Sequence, residues 1–349
     1  MIQQILSAYD LDENQFDIEP INNGLINQTW RLKNSYNDYI LQKINSEVFK
    51  RPPDIASNLK VLAEYLFEHA PNYLFIVPLQ TKKKEGMTFL PGKGYFRLLP
   101  FVKKSHTISA AETPGQAFEA AKEFGKFSRL LAHFPVEKLQ ITLPDFHNLS
   151  MRYRQFSEAL IKGNTSRIKE SKELIRFIRG NKNIVETYER ILKNPEFRLR
   201  VTHHDTKISN VLFDEEDKGL CVIDLDTVMA GYFISDVGDM LRTYLSPVNE
   251  EEKDFSKIEI RDDYFIAIAK GYMNEMNEEL SIEEKSNFIY AGEFMIYMQA
   301  IRFLTDYLCN DVYYGAAYKN QNLVRAGNQI TLLQKLMNKG EMLQKLFTN

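Results

Sequence analysis

The sequence predicts an α+β protein of two lobes, and three observations support that fold class. The chain has 349 residues, which is long for a single hydrophobic core. Residues 1–101 contain short runs in which apolar residues alternate, the pattern of half-buried strands. Residues 102–349 are dominated by apolar residues at helical spacing, apart from one β-rich stretch. We therefore expect a sheet-based N-lobe over residues 1–101 and a mainly helical C-lobe over residues 102–349.

The bulk composition disfavours several classes of protein. The net charge of −3 gives no sign of nucleic-acid binding. There are two cysteines, Cys221 and Cys309, and no CxxC pair, so a disulfide framework is excluded and a thiolate zinc site is disfavoured. The first residues do not form a signal peptide, and no window approaches the ~18 uninterrupted apolar residues of a membrane span. We expect a cytoplasmic protein that neither spans nor binds a membrane.

The N-lobe is predicted to be an antiparallel sheet of about five strands, with one helix between the third and the fourth. In the second run Ile26, Trp30 and Leu32 fall on one face at even spacing. The helix opens after two prolines, with Asp54 as its expected N-cap. The five predicted strands are Phe16–Ile21, Ile26–Lys33, Tyr39–Ile44, Tyr73–Leu79 and Gly94–Val102.

The C-lobe is predicted to begin with a helix at Thr113-Pro114, and further helical patterns start near Met151, Ser171 and Ser281. The exception is Arg198–Asp226, where the runs "FRLRV", "NVLFD" and "LCVIDLD" are short and β-rich and are joined by polar turns. We therefore expect a small catalytic β-hairpin inside the helical lobe.

The stretch "VTHHDTKISNVLFD" concentrates the candidate chemistry. It reads H-x-D-x-x-x-x-N at His203, Asp205 and Asn210, and Asp224 follows 19 residues after Asp205. Phosphoryl transfer from ATP uses such parts in this order. A carboxylate orients the attacking hydroxyl and accepts its proton, and then a neutral oxygen ligand and a second carboxylate hold Mg²⁺. We therefore predict Asp205 as the catalytic base and Asn210 and Asp224 as the Mg²⁺ ligands.

Neighbouring residues add to this hypothesis. Lys207 supplies a cation that could reach the transferring γ-phosphoryl group of ATP. Any one of these residues alone would favour a structural polar turn with an asparagine capping a strand, but the joint match favours a phosphotransferase. His203 and His204 are adjacent, so in a strand they would face opposite sides and could not easily share a zinc ion. We expect the His203 ring to lie under the loop and to hold Asp205 through a hydrogen bond.

Three further aspartates follow the predicted metal ligands. Asp226 lies two residues after Asp224 and would share its face if both lie in a strand. It could then join the metal site or orient its waters, and the alternative is an N-cap for the next turn. Asp236 and Asp239 begin a helix, and we expect one of them to cap it or to bind backbone N–H groups of the catalytic loop.

In the N-lobe, "INNGLINQTWRL" takes the place of a nucleotide-covering loop. It holds one glycine and does not match GxGxxG, but small polar residues such as Asn27 could offer backbone N–H groups to phosphate oxygens. Lys43 in the third strand is predicted to contact the α- and β-phosphates, and the alternative is an exposed strand lysine. Its carboxylate partner stays open, because Asn58 stands at the usual spacing and Glu47 and Glu64 lie to either side.

These motifs together resemble a known superfamily. "HHDTKISNVLFD", "VIDLDTVMAG" and "DVGDMLR" are similar to the aminoglycoside phosphotransferase and choline kinase superfamily, whose fold is protein-kinase-like. With "GLINQTW", "YILQKIN" followed by "VFKRPPDIASN", and "RFLTDYL", the chain resembles the N-acetylhexosamine 1-kinases. The matches run from about Gly24 to Tyr307 and so cover most of the chain.

The resemblance implies a two-lobed kinase fold with ATP in the cleft and adenine on the hinge backbone from Leu99 to Val102, Phe101 included. It assigns the catalytic base and both metal ligands to the residues predicted above. The acceptor would be the anomeric hydroxyl of GlcNAc or GalNAc, giving the sugar 1-phosphate. The expected substrate contacts, each with a helix–helix salt bridge as its alternative, are Arg242, Arg302 and Asp306.

Other functions remain open at this point. A protein kinase is disfavoured because no A-P-E follows Asp224 and the glycine loop is absent. An aminoglycoside, choline, homoserine or methylthioribose kinase would share the fold, and an antibiotic kinase would need an acidic pocket for its polycation. A pseudokinase that only binds is disfavoured because Asp205, Asn210 and Asp224 are all present. The exact sugar, the choice between ATP and GTP, and the oligomeric state are left open.

Overall fold

The N-lobe of the computed structural model is built on one antiparallel sheet, and the structure describes residues 1–21 and 26–348. Its elements are α1 (Ile2–Leu6), β1 (Asp17–Ile21), β2 (Gln28–Lys33), β3 (Tyr39–Lys43), α2 (Pro52–His69), β4 (Thr88–Leu90) and β5 (Gly94–Pro100). The strand order is β1-β2-β3-β5-β4. The predicted five-stranded sheet with a helix between its third and fourth strands is confirmed. Residues 22–25 of the predicted nucleotide-covering loop lie outside the described residues.

The predicted fourth strand, Tyr73–Leu79, is wrong. That segment has no strand, and the fourth strand is β4 instead. A continuous apolar run can be a buried strand or a buried connection, and its composition does not distinguish them. Here Phe75 stacks on Phe127 of the C-lobe with ring centroids 6.4 Å apart, and Pro78 has no N–H to offer a sheet. The run is apolar because it crosses the core.

The two faces of the sheet have different surroundings. On the outer face, Leu41 of β3 and Phe96 of β5 pack in an apolar cluster with α1. On the inner face, Gln42 of β3 lies opposite Arg97 of β5, and Arg97 Nε donates a hydrogen bond to Gln42 Oε1 at 2.9 Å. Ile44, just beyond β3, belongs to the main core of the C-lobe. The inner face therefore turns toward the C-lobe.

The start of α2 differs from the prediction. Arg51 precedes the helix, and Pro52 and Pro53 fill its first turn. Proline fits there because its missing N–H would have no helical partner. Asp54 is therefore not the N-cap that we predicted, and it pairs instead with Arg51, whose Nε lies 3.1 Å from Asp54 Oδ2.

Asn58 attaches α2 to the C-lobe. Its amide nitrogen donates to the backbone oxygens of Gln140 at 2.8 Å and Val228 at 3.0 Å. Its amide oxygen accepts from Gln140 N at 2.7 Å. The residue at the position where a glutamate partner for Lys43 was sought is therefore a connection between the lobes.

The C-lobe is mainly helical, as predicted. Its helix α3 is capped by Thr113, whose hydroxyl accepts from Gln116 N at 3.2 Å. α11 contacts α4, α8 and α12, and α3 packs along α9. None of the described helices is both long enough and apolar enough to cross a membrane. The helices are α3 (Pro114–Leu130), α4 (Leu149–Lys162), α5 (Thr165–Glu170), α6 (Lys172–Gly180), α7 (Asn183–Ile191), α8 (Phe233–Tyr244), α9 (Asp262–Met276), α10 (Ile282–Ser286), α11 (Phe288–Leu308) and α12 (Gln321–Thr348).

Two short strand pairs interrupt the helices. β7 (Val211–Phe213) and β8 (Gly219–Val222) form the predicted hairpin. β6 (Arg200–Thr202) pairs separately with β9 (Met229–Gly231), so the β-rich stretch makes two small sheets. The loop from β6 to β7 and the segment from β8 to β9 are thereby held beside each other.

Candidate active site

The loop between β6 and β7 brings three of the predicted residues together. Asn210 Nδ2 donates to the backbone oxygen of Asp205 at 2.9 Å and to Asp205 Oδ2 at 3.0 Å. Lys207 Nζ lies 3.2 Å from the same Oδ2. One carboxylate oxygen of Asp205 is thus held by an amide and a cation, and no described residue donates to Oδ1.

His203 supports this loop from below. Its Nδ1 accepts a hydrogen bond from Asp205 N at 3.3 Å, so its Nε2 carries the proton and donates to Ile223 O at 2.9 Å. The ring packs edge-on against Phe124 with centroids 5.1 Å apart. Burial lowers the pKa of His203, which keeps the ring neutral. The expected role for His203, holding Asp205 from beneath, is confirmed.

Asp236, at the start of α8, anchors the loop from the other side. Its Oδ2 accepts from His203 N at 3.0 Å and its Oδ1 from His204 N at 2.7 Å. Thr206 Oγ1 donates to the backbone oxygen of Asp236 at 2.7 Å. The prediction that an aspartate of "SDVGDMLR" would bind backbone N–H groups of the catalytic loop is therefore confirmed.

His204 holds the loop in an unusual backbone conformation. Its φ is +67°, in the left-handed region that side chains rarely adopt. Its ring lies against Gly231 of β9, where an added Cβ would come within 2.5 Å of His204 Nε2. Glycine at 231 is therefore required by close packing on the loop.

The predicted metal ligands come from two neighbouring chain segments. Ile223 N donates to Asn210 O at 2.8 Å, which places Asp224 next to Asn210 across the hairpin. Since Asn210 Nδ2 is used by Asp205, its Oδ1 is the atom that could bind a cation. An amide oxygen and a carboxylate are the donor types that Mg²⁺ takes from proteins.

The charge balance of the site also fits a divalent cation. The pKa of Asp224 is raised, first by the protein walls that displace water around it and then by the carboxylates of Asp226 and Asp205. Arg97 and Lys207 oppose that rise. The Asp224 residue is exposed, so a cation could reach its carboxylate. Burial alone would lower the pKa of Lys207, but the nearby carboxylates, Asp205 foremost, raise it and keep the side chain charged.

The spacing suggested that Asp226 and Asp224 share one face of a strand, but they do not. β8 ends at Val222, Asp224 has a φ of +58°, and a short 3-10 helix follows at Leu225–Thr227. Asp226 therefore turns toward the N-lobe. There it forms an ion pair with Arg97 and accepts a hydrogen bond from Asn27 Nδ2 at 2.8 Å.

Lys43 is not brought to the other predicted residues. In β3 it lies opposite Phe96, whose ring belongs to the apolar cluster on the outer face. Successive residues of a strand face opposite sides, so Gln42 takes the inner face and Lys43 the outer one. The geometry therefore does not support the predicted contact of Lys43 with phosphates. The cation that β5 places on the inner face is Arg97.

Arg97 was missed by sequence reasoning, although a signal was present. It lies in the middle of "YFRLLP", an apolar strand, and a charged residue buried in such a strand needs a partner. The partner itself, Asp226, is 129 residues away and could not be found from spacing.

The predicted adenine contacts lie where β5 leaves the sheet. Leu99 is opposite Ile40 of β3. Phe101 N donates to Asp38 O at 3.1 Å, and the Phe101 ring lies 3.9 Å below the guanidinium carbon of Arg31. The backbone N–H of Phe101 is therefore already bonded within the N-lobe.

The predicted acceptor contacts have unequal surroundings. Arg242 is bound to Asp239 of its own helix at 2.8 Å and to Glu250 of the following loop at 2.9 Å, so it forms salt bridges, although not the expected one between two helices. Both oxygens of Asp306 accept backbone N–H groups, from Tyr313 at 2.7 Å and Tyr314 at 3.0 Å. Asp306 therefore holds the loop after α11 and does not face the pocket with a free oxygen.

Arg302 lies in a cavity of about 760 Å³ on α4, α11 and the following loop. Its guanidinium carbon lies 5.5 Å from the ring centre of Tyr314 and 5.8 Å from that of Phe146. The centre of the Phe146 ring lies 6.4 Å from that of His204, in the loop between β6 and β7. Arg152 also lines the cavity, and within the described chain neither arginine forms an ion pair with a carboxylate.

Comparison with known proteins agrees with this architecture. The sequence model of the phosphotransferase enzyme family matches residues 17–261. A solved microcompartment-associated aminopropanol kinase is similar with a TM-score of 0.67 and 14% identity, over 98% of each chain. Amicoumacin kinase, solved with AMP-PNP, Ca²⁺ and Ami, gives a TM-score of 0.63 and 13% identity, over 94% of this chain and 90% of that one.

A choline/ethanolamine kinase family protein from Mesorhizobium loti is also similar, with a TM-score of 0.59 and 13% identity. It covers 95% of this chain and 93% of that one. At such identities the likeness establishes the fold. The predicted two-lobed, protein-kinase-like fold is confirmed.

Proposed function

The chain belongs to the phosphotransferase enzyme family, and from this premise we propose that it transfers the γ-phosphoryl group of ATP to a sugar hydroxyl. The family match and the kinase neighbours make it a small-molecule kinase. The observation that carries the proposal is that Lys207 and Asn210 both contact the carboxylate of Asp205. Asp224 lies beside these residues. In this proposal residues 1–101 cover the nucleotide and residues 102–349 carry the catalytic loop and the acceptor site.

Asp205 is proposed as the catalytic base. Its Oδ2 is held by Asn210 and Lys207, so its Oδ1 is oriented and available to receive the acceptor hydroxyl. It takes the proton of that hydroxyl as the hydroxyl oxygen bonds to the γ-phosphorus and the bond from the γ-phosphorus to the bridging oxygen breaks, so that ADP leaves. The rate enhancement comes mainly from positioning the hydroxyl and from fixed charges around the transferring group.

Asn210 and Asp224 are proposed to hold Mg²⁺. When bound, the cation neutralises charge on the phosphate groups of ATP. The amicoumacin kinase complex with AMP-PNP and Ca²⁺ supports the use of a nucleotide and a divalent cation in this fold. Lys207 stays charged among its carboxylate neighbours and offsets the negative charge that develops on the transferring group.

We propose an N-acetylhexosamine, GlcNAc or GalNAc, as the acceptor and its anomeric hydroxyl as the reacting group. The motif resemblance supports this choice, and so does the charge of the cavity on α4 and α11. That cavity presents Arg152 and Arg302 without carboxylate partners among the described residues, together with Tyr313 and Tyr314. Guanidinium and phenol groups suit the oxygen atoms of a neutral sugar. The cavity is not the acidic pocket that a polycationic aminoglycoside would need, because its carboxylates are outnumbered by cations: it is lined by Glu158 and Asp306 and by Arg152, Lys162 and Arg302.

A screen of acceptors tests this proposal. ADP release is measured with GlcNAc, GalNAc, glucosamine, galactose, choline, homoserine and kanamycin, each with ATP and Mg²⁺. We expect the highest kcat/KM with GlcNAc or GalNAc, and a product whose phosphate is lost in mild acid, as a sugar 1-phosphate should be. Preference for choline or kanamycin would contradict the sugar assignment. No release above the ATP blank with any acceptor would favour a binding protein over an enzyme.

A further inference from the structure

Arg97 and Asp226 form a buried ion pair between the lobes. Their side chains are 3% and 2% exposed, and Arg97 Nη1 donates to Asp226 Oδ1. Charged groups are seldom buried this completely unless they are paired. Arg97 Nε is also fixed by Gln42 of the neighbouring strand at 2.9 Å. The guanidinium is therefore held by the sheet and presented to one aspartate of the C-lobe.

The N-lobe engages both oxygens of Asp226. Asn27 Nδ2 donates to Oδ2 at 2.8 Å, and Asn27 Oδ1 in turn accepts from Asn45 N at 3.0 Å. Both oxygens of Asp226 are therefore occupied by N-lobe side chains, although Asp226 lies only two residues after Asp224. Two N-lobe side chains, Arg97 and Asn27, determine its direction.

The segment that presents Asp224 is held at both ends. Before it, Ile223 N is bonded to Asn210 O at 2.8 Å. After it, Thr227 Oγ1 donates to His203 O at 2.6 Å. Asp224 itself has a left-handed φ of +58°. Aspartate adopts this conformation more readily than most residues other than glycine. The bonds of Asp226 to the N-lobe are a further constraint on the same turn.

Removing Arg97 would leave a buried carboxylate without a compensating charge next to Asp224. A buried unpaired charge is costly, so Asp226 would turn toward the nearest cation or solvent and disturb the turn at Asp224. The other inner-face arginine, Arg31, cannot replace Arg97, because it is bound to Asp38 at 2.6 Å near the hinge.

We propose that Arg97 is a positioning residue for the metal site and acts through Asp226. By holding that carboxylate on the N-lobe, it leaves Asp224 alone to bind the cation and makes metal binding depend on contact between the lobes. This inference rests on the proposed use of ATP and Mg²⁺. It concerns the assembly of the site and is independent of the acceptor.

Calorimetric binding of AMP-PNP tests the inference without any acceptor. The affinity for Mg²⁺ at saturating AMP-PNP, and the affinity for AMP-PNP in EDTA, are measured for wild type and Arg97→Met. Substitution of a residue that orients a metal-binding segment commonly costs about tenfold or more in metal affinity, and we expect a loss of that size for Mg²⁺. The affinity for AMP-PNP in EDTA should stay within about twofold, a split that general loss of structure would not produce.

Lys43→Met is the matched variant, since it removes one positive charge from the neighbouring strand but from the outer face. It should leave the Mg²⁺ affinity within about twofold of wild type. Asp226→Asn should lower the affinity much as Arg97→Met does, and the double variant should be no worse than Arg97→Met alone. The inference would be overturned if Lys43→Met lowered the Mg²⁺ affinity more than Arg97→Met does. It would also be overturned if the losses of affinity in Arg97→Met and Asp226→Asn added up in the variant that carries both.

The variant that carries both Arg97→Met and Asp226→Asn can also be tested if Arg97→Met alone does not fold. With both charges removed, no buried charge is left unpaired, so this variant is expected to fold and still to bind Mg²⁺ more weakly than wild type. Wild-type Mg²⁺ affinity in the double variant would overturn the inference. A wild-type protein that binds no AMP-PNP with Mg²⁺ would overturn the proposed function itself, and the inference with it.

Discussion

The loop between β6 and β7 and the sheet of the N-lobe differ in how far along the chain their contacts reach. In the loop, Asp205 is bound by Lys207 and Asn210, which are two and five residues away. In the sheet, Arg97 binds Asp226 of the C-lobe, across 129 residues. Spacing along the chain limits the geometry of the first contact and says nothing about the second. Motif-based assignments are therefore firmer in the loop than in the sheet.

The strand β3 shows how small a difference matters. Gln42 faces the cleft and Lys43 faces the cluster around α1, although they are adjacent. A strand alternates its faces with every residue, so an uncertainty of one position reverses the assignment. The loop between β6 and β7 contains no such ambiguity. Its residues do not alternate between two faces, and His203 and Asp236 hold the loop in place.

The largest expected effect is on the metal site. Asp224→Ala should abolish Mg²⁺-dependent binding of ATP, because it removes the carboxylate that faces the cleft, while the fold stays intact. Calorimetry with ATP and Mg²⁺ measures the affinity, and circular dichroism checks the fold. Unchanged affinity in a folded variant would show that the hairpin assignment is wrong.

The next effect concerns the base. Asp205→Asn should lower kcat by about 10² or more with little change in the KM for ATP, because the proton acceptor is lost while the nucleotide contacts remain. Steady-state assays with the best acceptor of the screen measure it. Glu215→Gln, at an exposed site on the same hairpin, is the control and should behave as wild type. Near-normal turnover of Asp205→Asn would rule out the assigned base.

A smaller effect is expected on stability. Asp236→Ala removes the acceptor of His203 N and His204 N and leaves two buried N–H groups without a partner. Each such group costs ~1–3 kcal/mol, so the free energy of unfolding should fall by about 2 kcal/mol or more. Urea unfolding measures it. Wild-type stability would mean that the hairpin loop holds its shape without the anchor.

The smallest effect is a pH dependence of the hairpin scaffold. Burial lowers the pKa of His204 to about 4, from its ordinary value of 6.5. Between these values the unfolded chain binds more protons, so acid lowers stability, and at pH 5.5 His204 contributes a loss of about 1.4 kcal/mol. His204→Asn, which tolerates the left-handed backbone, should flatten the fall in thermal midpoint between pH 7 and 5.5. An equally steep fall in both proteins would contradict the assignment to His204.

Much of the fold followed from periodicity, and the exceptions have physical causes. The apolar run Tyr73–Leu79 was mistaken for a strand because a connection that packs apolar side chains against the core has the same composition as a strand. Asp54 was mistaken for a helix cap because two prolines shift the start of α2 to Arg51. A supporting role was anticipated for His203 and for one of Asp236 and Asp239, because a tight polar loop requires neighbours that satisfy its N–H groups, and the structure shows that the aspartate is Asp236.

By itself the sequence determined the class of the protein and the content of its catalytic loop. Residues a few positions apart cannot separate far, so the spacing of Asp205, Lys207 and Asn210 already confined them to one site. Only the tertiary structure decided which face of β3 meets the cleft, which arginine holds Asp226, and that Asp306 supports a loop. Those outcomes depend on strand register and on pairings across long stretches of chain. Contacts such as that of Arg97 with Asp226 are stabilised by burying and pairing charges. The local sequence does not encode which partners will meet.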